Sequence, residues 1–485
     1  MFRKGRNSQG SLGSIHGLAV LGLVNFAIIG IRNLALSKLL GPNGYGVNSL
    51  SSQILSFLAF LDLGAVALLQ REVPRNSDDK SRIEEVLTDI RRITIRSYLV
   101  STVGLVVVFI LLNLLDDPQW NIAIIAALII FPVQNTMVFK MAVLNATHQQ
   151  SRALKVLTSS SLINFILTFI LYSWLGIWII LVAPCLGFLF SQLLFKNSIP
   201  NLPLWKIIRN RKKYRKREIF FGIKSIFGSN LAAYALQNID FYVALFSQSQ
   251  KSIGFLGFAL NLLTLVPVLP IIISNKMSPI LNDKSGHYSM LSKLKLIRNM
   301  RDSVSYAVGF ATFFAAGFGT LLVTYSFTNY TSALSIIWIF GISFSIYTST
   351  FYTSTFALLI DRQSEILRIQ LTSVLAQSSI LLMVVIFYHI DLNMIAYLSV
   401  VRSIIYFELM RQFVKEHLSN SSEILHLFRL KIGIYLVPLI SCELLVVEGS
   451  RYLMSIALGL GLLYYLIQFR NKWITFNRTF SEVAI

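Results

Sequence analysis

Four ionisable residues interrupt apolar runs that otherwise carry almost no charge: Arg32, Asp62, Asp240 and Arg402. An Arg or Asp at the middle of a bilayer costs roughly 2.5 to 3.5 kcal/mol on insertion scales, so such residues persist where they pair with one another or line a wet cavity. A guanidinium there can grip an anionic group through a planar fork of donors, and a carboxylate can hold that guanidinium or carry a proton. Arg32 lies twenty residues into the run Leu12 to Leu36, and Asp240 twenty-one into Ile219 to Phe246. At about 1.5 Å per residue both stand roughly 30 Å from the inner ends of their runs. Their shared depth predicts that Arg32 and Asp240 face each other across a central cavity. Arg32 would bind the anion, and Asp240 would hold Arg32 or a coupling ion in its absence. Asp62, about 10 Å above the inner end of its run, is placed at the cytoplasmic mouth in a gating or ion-coupling role. Arg402 adds a second positive charge, with snorkelling or an ion pair to Glu408 as the plainer alternative.

The elements that position these residues must be membrane helices. Of 485 residues 55% are hydrophobic and 13% charged, a balance that belongs in a bilayer. Apolar runs of about 20 residues, each enough to cross a core of roughly 30 Å, recur along the whole chain. They give about fourteen transmembrane helices. With the N-terminus cytoplasmic, all but Lys38, Lys251, Arg451, Arg32 and Arg402 of the 43 Lys and Arg residues fall in inner stretches. That regularity explains the net charge of +21 as membrane topology rather than nucleic-acid binding, and it puts both termini inside. Acids such as Asp116, Asp117 and Asp391 fall outside. Cys185 and Cys442 form no metal spacing or disulfide framework, and the six histidines are scattered without metal or triad spacing. No cofactor and no catalytic constellation is indicated, and the chain is not expected to be an enzyme.

An internal repeat organises the helices. A shift of 214 residues lays Leu144, Gln149, Leu157, Thr158 and Ser159 on Leu358, Gln363, Leu371, Thr372 and Ser373, and a shift of 210 lays Gly44, Tyr45 and Leu50 on Gly254, Phe255 and Leu260. An even number of spans per repeat gives both halves one orientation. The expected fold is therefore all-α and polytopic, with two parallel six-helix lobes, 1–195 and 218–415, joined by a basic cytoplasmic linker, 196–217. Residues 416–485 add two further helices and a tail. Within the linker, Arg209 to Arg217 holds seven basic residues in nine and suits anionic headgroups of the inner leaflet. Pro42 and the glycines of Gly-Pro-Asn-Gly-Tyr-Gly should stop the first span and turn the chain.

From Arg32 the chain reads R-N-L-A-L-S-K-L-L-G-P-N-G-Y-G, then F-L-D-L-G-A-V-A-L-L-Q-R-E from Phe60 to Glu72, and L-Q-N-I-D-F ending in Phe241. With the six-plus-six repeat, these residues resemble a polysaccharide flippase of the multidrug, oligosaccharidyl-lipid and polysaccharide exporter superfamily, over roughly residues 10 to 415. The resemblance implies a two-lobed transporter of the bacterial inner membrane that alternates access. It implies a cargo of oligosaccharide linked to undecaprenyl pyrophosphate, moved outward for surface polysaccharide such as the O-antigen of lipopolysaccharide, with a polysaccharide polymerase as a downstream partner. On that reading Arg32 and Arg402 bind the diphosphate, and Asn25, Asn135, Gln237 and Asn238 supply hydrogen bonds to sugar, unless these amides merely join helices. Coupling to H+ or Na+ replaces ATP, for which no site is visible.

Two other functions fit parts of the pattern. An ion-coupled multidrug or small-molecule antiporter of the same superfamily would share the fold, and acids rather than arginines would dominate its cavity. A membrane polysaccharide polymerase would need a sizeable external loop or soluble domain, whereas every predicted external loop is short.

Overall fold

A backbone immersed in hydrocarbon must satisfy its own hydrogen bonds, and a chain of apolar runs does so as helices. The computed structural model is helical in this way: it describes residues 13–60, most of 87–110, 118–146, 150–194, 216–264, several between 266 and 270, 290–350, several between 353 and 362, 363–387, 390–417 and most of 461–475. Among these residues there is no strand. Asp62 and nearly all of the linker 196–217 lie outside the described residues. The chain forms two compact units, Met1–Tyr234 and Ala235–Ile485. Their division falls inside one continuous helix, Lys216–Ser247, and not in the basic linker.

The first unit is built from α1 (Gly13–Phe60), α2 (Pro118–Ala146), α3 (Gln150–Leu175) and α4 (Ile179–Leu194), together with the first part of α5 (Lys216–Ser247). The expected stop after the first span is narrower than the run of turn residues suggests. Helical backbone continues through Leu40, breaks at Gly41 alone (φ 63°, ψ 177°), and resumes at Pro42. Proline suits a first helical turn, where its missing N–H has no partner to lose. The carbonyl of Leu39, left over at the broken end, accepts from the Tyr172 hydroxyl at 2.6 Å, which ties α3 to the break. Along α3, Leu162, Ile166, Phe169 and Ile170 are exposed while Ser160 and Thr168 are buried. This inversion of the usual pattern is what a lipid-facing helix requires. α4 lies close on α3 because Gly187 leaves room for the Ser160 carbonyl and Asn164, a small-residue contact of the kind that joins membrane helices.

The second unit continues α5 and adds α6 (Gln250–Leu263), α7 (Met290–Tyr325), α8 (Leu334–Ser349), α9 (Gln363–Phe387) and α10 (Leu392–His417). Helix ends are closed by side chains: Ser249 accepts from the Ser252 amide at 3.3 Å, and Asp391 accepts from the Met394 amide at 2.7 Å. Buried hydroxyls join the helices, Trp338 Nε1 donating to Thr320 Oγ1 at 2.9 Å and Ser345 Oγ to Thr312 Oγ1 at 2.8 Å. The helical residues 461–475 pack on α7, where Tyr465 lies 5.9 Å from the Phe313 ring and Gly461 faces the same ring.

Six described segments are long and apolar enough to cross a membrane: Val20–Leu58, Asn121–Asn145, Ser151–Leu194, Val304–Tyr325, Thr328–Ser349 and Leu392–His417. The protein is thus an all-α, multi-pass membrane protein. The first and third segments, 39 and 44 residues long, each hold about twice the roughly 20 residues that one crossing needs. α5 and α9 are not in this apolar set.

Gly41 and Gly187 make opposite demands that substitution separates. Gly41→Ala meets no atom within 4 Å, so its expected loss of about 1 to 3 kcal/mol is conformational alone. Gly187→Ala places a Cβ 2.9 Å from the Ser160 carbonyl oxygen and 3.0 Å from Asn164 Cβ, and should lower the melting temperature by pushing α3 and α4 apart. Gly30→Ala, helical and with nothing within 4 Å, should be neutral or slightly stabilising; melting curves of the three in detergent check the assignment.

Candidate functional site

Buried polar side chains of α5, α9 and α10 meet at one place in the second unit. Asp240 of α5 is 2% exposed and Arg402 of α10 is 5% exposed. Arg402 Nη2 lies 2.8 Å from Asp240 Oδ2. Gln377 of α9 closes the third side: its amide nitrogen donates to Asp240 Oδ1 at 2.5 Å, and its carbonyl accepts from Arg402 Nη1 at 2.8 Å. Both carboxylate oxygens and both ends of the amide are therefore used. Arg402 Nη2 also donates to Ser399 Oγ at 3.0 Å. Ser343 of α8 carries the network on, 2.7 Å from Ser399 Oγ and 2.8 Å from Ser403 Oγ.

A second layer lies one helical turn toward the same end on three of these helices. Gln237, three residues before Asp240, donates to the Tyr347 hydroxyl at 2.9 Å. Tyr347 follows Ser343 by four residues, and Tyr406 follows Arg402 by four; their rings are 5.3 Å apart and tilted by 31°. Gln237 is exposed, Tyr347 half-buried and Tyr406 buried. The layer thus runs from the closed ion pair to the surface of the unit. A polar, exposed amide within a membrane-spanning bundle has to meet water or a polar ligand.

Arg402 therefore stands inside the packing of its unit with a carboxylate partner, and does not line open space. That partner is not Glu408, whose carboxylate is held by Arg411 at 2.5 and 2.7 Å. Three residues apart on a helix are neighbours, and six are not. Nor does the unit leave Asp240 waiting for Arg32. Asp240 is bound by Arg402 and Gln377, which ties helices within one unit.

In the first unit Arg32 is half-buried on α1. Its Nε donates to Thr168 Oγ1 of α3 at 3.4 Å, and its Nη1 to Asn33 Oδ1 at 3.5 Å. Both partners are neutral and both bonds long, and among the described residues no carboxylate pairs with it. Asn25, two turns earlier on α1, is 2% exposed, and its Oδ1 has no hydrogen-bond partner. The buried Asn164 Oδ1, one turn before Thr168, has none either. Asn135 is half-buried on α2, and Asn238 half-buried on α5. Sequence reasoning missed Gln377, Ser399, Tyr347 and Thr168. Of these only Gln377 carries a visible signal, as an amide within a run long enough to cross the membrane.

The arrangement defines a class, a helical multi-pass membrane protein whose polar groups are collected inside its bundles, as in transporters. Residues 14–281 match the family model described as polysaccharide biosynthesis protein, more than half of the chain, which belongs to that family. A search of curated proteins finds no match. Among solved structures, the chain is similar to the lipid II flippase MurJ in its inward closed conformation, at 14% identity and TM-score 0.56, covering 93% of this chain and 97% of that one. It is similar to the multidrug transporter DinF-BH in complex with R6G at 13% identity and TM-score 0.59, covering 88% and 98%. A MATE structure in complex with MaL6 gives 15% identity and TM-score 0.57, covering 83% and 96%. At these identities the likeness establishes the fold, and cargo must be argued from the residues.

Removing one member of a buried ion pair strands the other, at a cost of about 3 to 5 kcal/mol, whereas replacing both by apolar groups is often neutral. Arg402→Met alone and Asp240→Leu alone should each destabilise the protein to that extent, and the double variant should recover most of the loss. Denaturation in detergent measures this, and single variants that melt like the parent would contradict the pairing.

Proposed function

We propose that the protein is a flippase that moves oligosaccharide linked to undecaprenyl pyrophosphate from the cytoplasmic to the outer leaflet of the bacterial inner membrane. Alternating access carries the cargo, surface polysaccharide such as O-antigen is its destination, and both termini are cytoplasmic. Arg32 is the observation that carries this reading: a guanidinium within a membrane span, held among the described residues by long bonds to neutral oxygens. Its charge is uncompensated among the described residues, whereas Arg402 and Asp240 cancel one another. The interior described is therefore net positive, which suits an anionic diphosphate. A cationic drug would need a carboxylate to receive it, and both oxygens of Asp240 are engaged. Family membership supports the same choice over the multidrug antiporter.

Asn25, Asn135, Gln237 and Asn238 act as hydrogen-bonding groups for sugar in this reading, joined by Tyr347, whose ring and hydroxyl suit a polyhydroxylated cargo. Arg402 is the second diphosphate ligand, held by Asp240 until cargo or a coupling ion displaces the carboxylate. Asp62 retains its proposed part in coupling or gating. One elementary charge moved across 100 mV is worth about 2.3 kcal/mol, enough for H+ or Na+ to bias the cycle. A polysaccharide polymerase would take the delivered cargo, and the basic segment Arg209 to Arg217 would rest on anionic lipid.

Deleting the gene should leave lipid-linked oligosaccharide on the cytoplasmic leaflet, and the parent chain should clear it on complementation. Arg32→Gln should express and fold normally yet cut translocation by roughly tenfold or more, the factor attached to one charge-assisted hydrogen bond of about 1.5 to 3 kcal/mol. Unchanged translocation by Arg32→Gln would end the role given to this residue. Normal surface glycan with altered drug sensitivity on deletion would transfer the protein to the antiporters.

A further inference from the structure

The layer of Gln237, Tyr347 and Tyr406 differs from the ion cluster beside it in what it leaves unused. Gln377 uses both ends of its amide, donating to Asp240 and accepting from Arg402. Gln237 uses one end. Its Nε2 donates to the Tyr347 hydroxyl at 2.9 Å, and among the described residues nothing donates to its Oε1. The Tyr347 oxygen accepts in that bond, so its own proton remains to be given, and among the described residues no acceptor takes it. An acceptor and a donor therefore stand side by side, unmatched. Turning the amide over would make the tyrosine the donor and leave the amide NH2 and the phenol oxygen, which is again a donor beside an acceptor.

Packing holds the pair in place. Tyr347 is flanked on α8 by the buried Ile346 and Thr348, and the buried Tyr406 ring backs it at 5.3 Å. Gln237 is exposed and Tyr347 half-buried, so the open side of the pair is its polar side. The charges one turn away, Arg402 and Asp240, answer each other. What such a pair recognises follows from valence. An anion brings only acceptors and sets negative charge against Gln237 Oε1, while an ammonium brings only donors and leaves the Tyr347 proton without an acceptor. A neutral group with a donor and an acceptor on neighbouring atoms satisfies both. Sugar rings carry two groups of this kind, adjacent hydroxyls and the acetamido substituent.

We infer that Gln237 Oε1 and the Tyr347 hydroxyl form a neutral subsite that takes one donor–acceptor edge of a sugar ring and disfavours charged groups. The source of the sugar rests on the flippase reading above. What is added is which atoms read the ring, and that the group they read is uncharged. Tyr406 is a positioning residue, which sets the Tyr347 ring without touching the sugar.

Full-length protein in phosphatidylcholine nanodiscs, observed by saturation-transfer NMR with maltose, diacetylchitobiose and choline, tests the subsite. The parent should bind at least one of the two disaccharides. Tyr347→Phe keeps the ring and removes only the hydroxyl, and Gln237→Leu removes the amide at an exposed position. Each should weaken disaccharide binding roughly three- to tenfold, the factor of one hydrogen bond between neutral groups. Tyr397→Phe takes a hydroxyl from an exposed position elsewhere on α10 and should leave binding unchanged. Loss confined to diacetylchitobiose identifies the acetamido group, and loss of maltose binding identifies adjacent hydroxyls. Should Tyr347→Phe fold poorly, Gln237→Leu carries the comparison. A parent that binds neither disaccharide, variants that bind as the parent does, or weakening of choline binding in place of sugar would each overturn the subsite. Accumulation of lipid-linked oligosaccharide on gene deletion would leave the flippase reading standing in that case. Sugar binding that depends on Tyr347, in a protein whose deletion causes no accumulation, would keep the subsite and overturn the flippase reading.

Discussion

A charge inside a bilayer must find its counter-charge in the protein, and in the second unit that requirement is met at one point. Arg402 and Asp240 neutralise one another at 2.8 Å, and Gln377 bridges them, donating to the second carboxylate oxygen and accepting from the second guanidinium nitrogen. Because the three residues come from α10, α5 and α9, and Ser343 brings in α8, the pair dictates which faces of four helices meet. Attraction between opposite charges grows as the dielectric falls, and so does the penalty for an unpaired member. The helices can therefore slide or tilt only in ways that keep the cluster closed, or that replace one member by an equivalent charge. That restriction makes a structural tie eligible to be a switch.

The first unit meets the same constraint less completely. The expected repeat makes α1 and α3 the counterparts of α5 and α9, and a polar contact joins each pair. Between α5 and α9 it is a charged, short bond, Gln377 to Asp240. Between α1 and α3 it is Arg32 to Thr168, long and with a neutral oxygen. One half stores its ions as a neutral cluster, and the other keeps a cation without an acid partner among the described residues.

Helical class and membrane location were legible in the sequence, because each depends on hydropathy along a single run. Partners were not. Gln377 is 137 positions from Asp240, and the expectation that Arg32 would meet Asp240 rested on equal depth and on the equivalent places of their two runs in the repeat, which leave azimuth undecided. The Glu408 alternative failed for a reason that was already visible, since a spacing of six places two side chains on different faces. Gly41 shows the same division of information. A cluster of turn residues announced a break, but only backbone geometry showed that one glycine makes it and that Pro42 already begins the next helix. The end of the chain, expected as an appendage, packs through Tyr465 and Gly461 on α7, since an apolar helix in lipid gains contact by close fit rather than by hydropathy.

The buried amides of the first unit bear on how its uncompensated cation is tolerated. Asn25 Oδ1, Gln53 Oε1, Gln134 Oε1 and Asn164 Oδ1 are buried oxygens without a hydrogen-bond partner. Each leaves a desolvation cost of about 1 to 3 kcal/mol that native structures seldom carry. Each is an acceptor, and therefore a site of negative partial charge in the same low-dielectric interior as Arg32. Unpartnered acceptors give donors such as water or sugar hydroxyls somewhere to bind. A carboxylate would neutralise Arg32 outright and remove its attraction for an anion, whereas amide oxygens support the charge without cancelling it. Among the described residues, the first unit thus holds the Arg32 guanidinium on neutral oxygens alone, and its charge stays available to an anion.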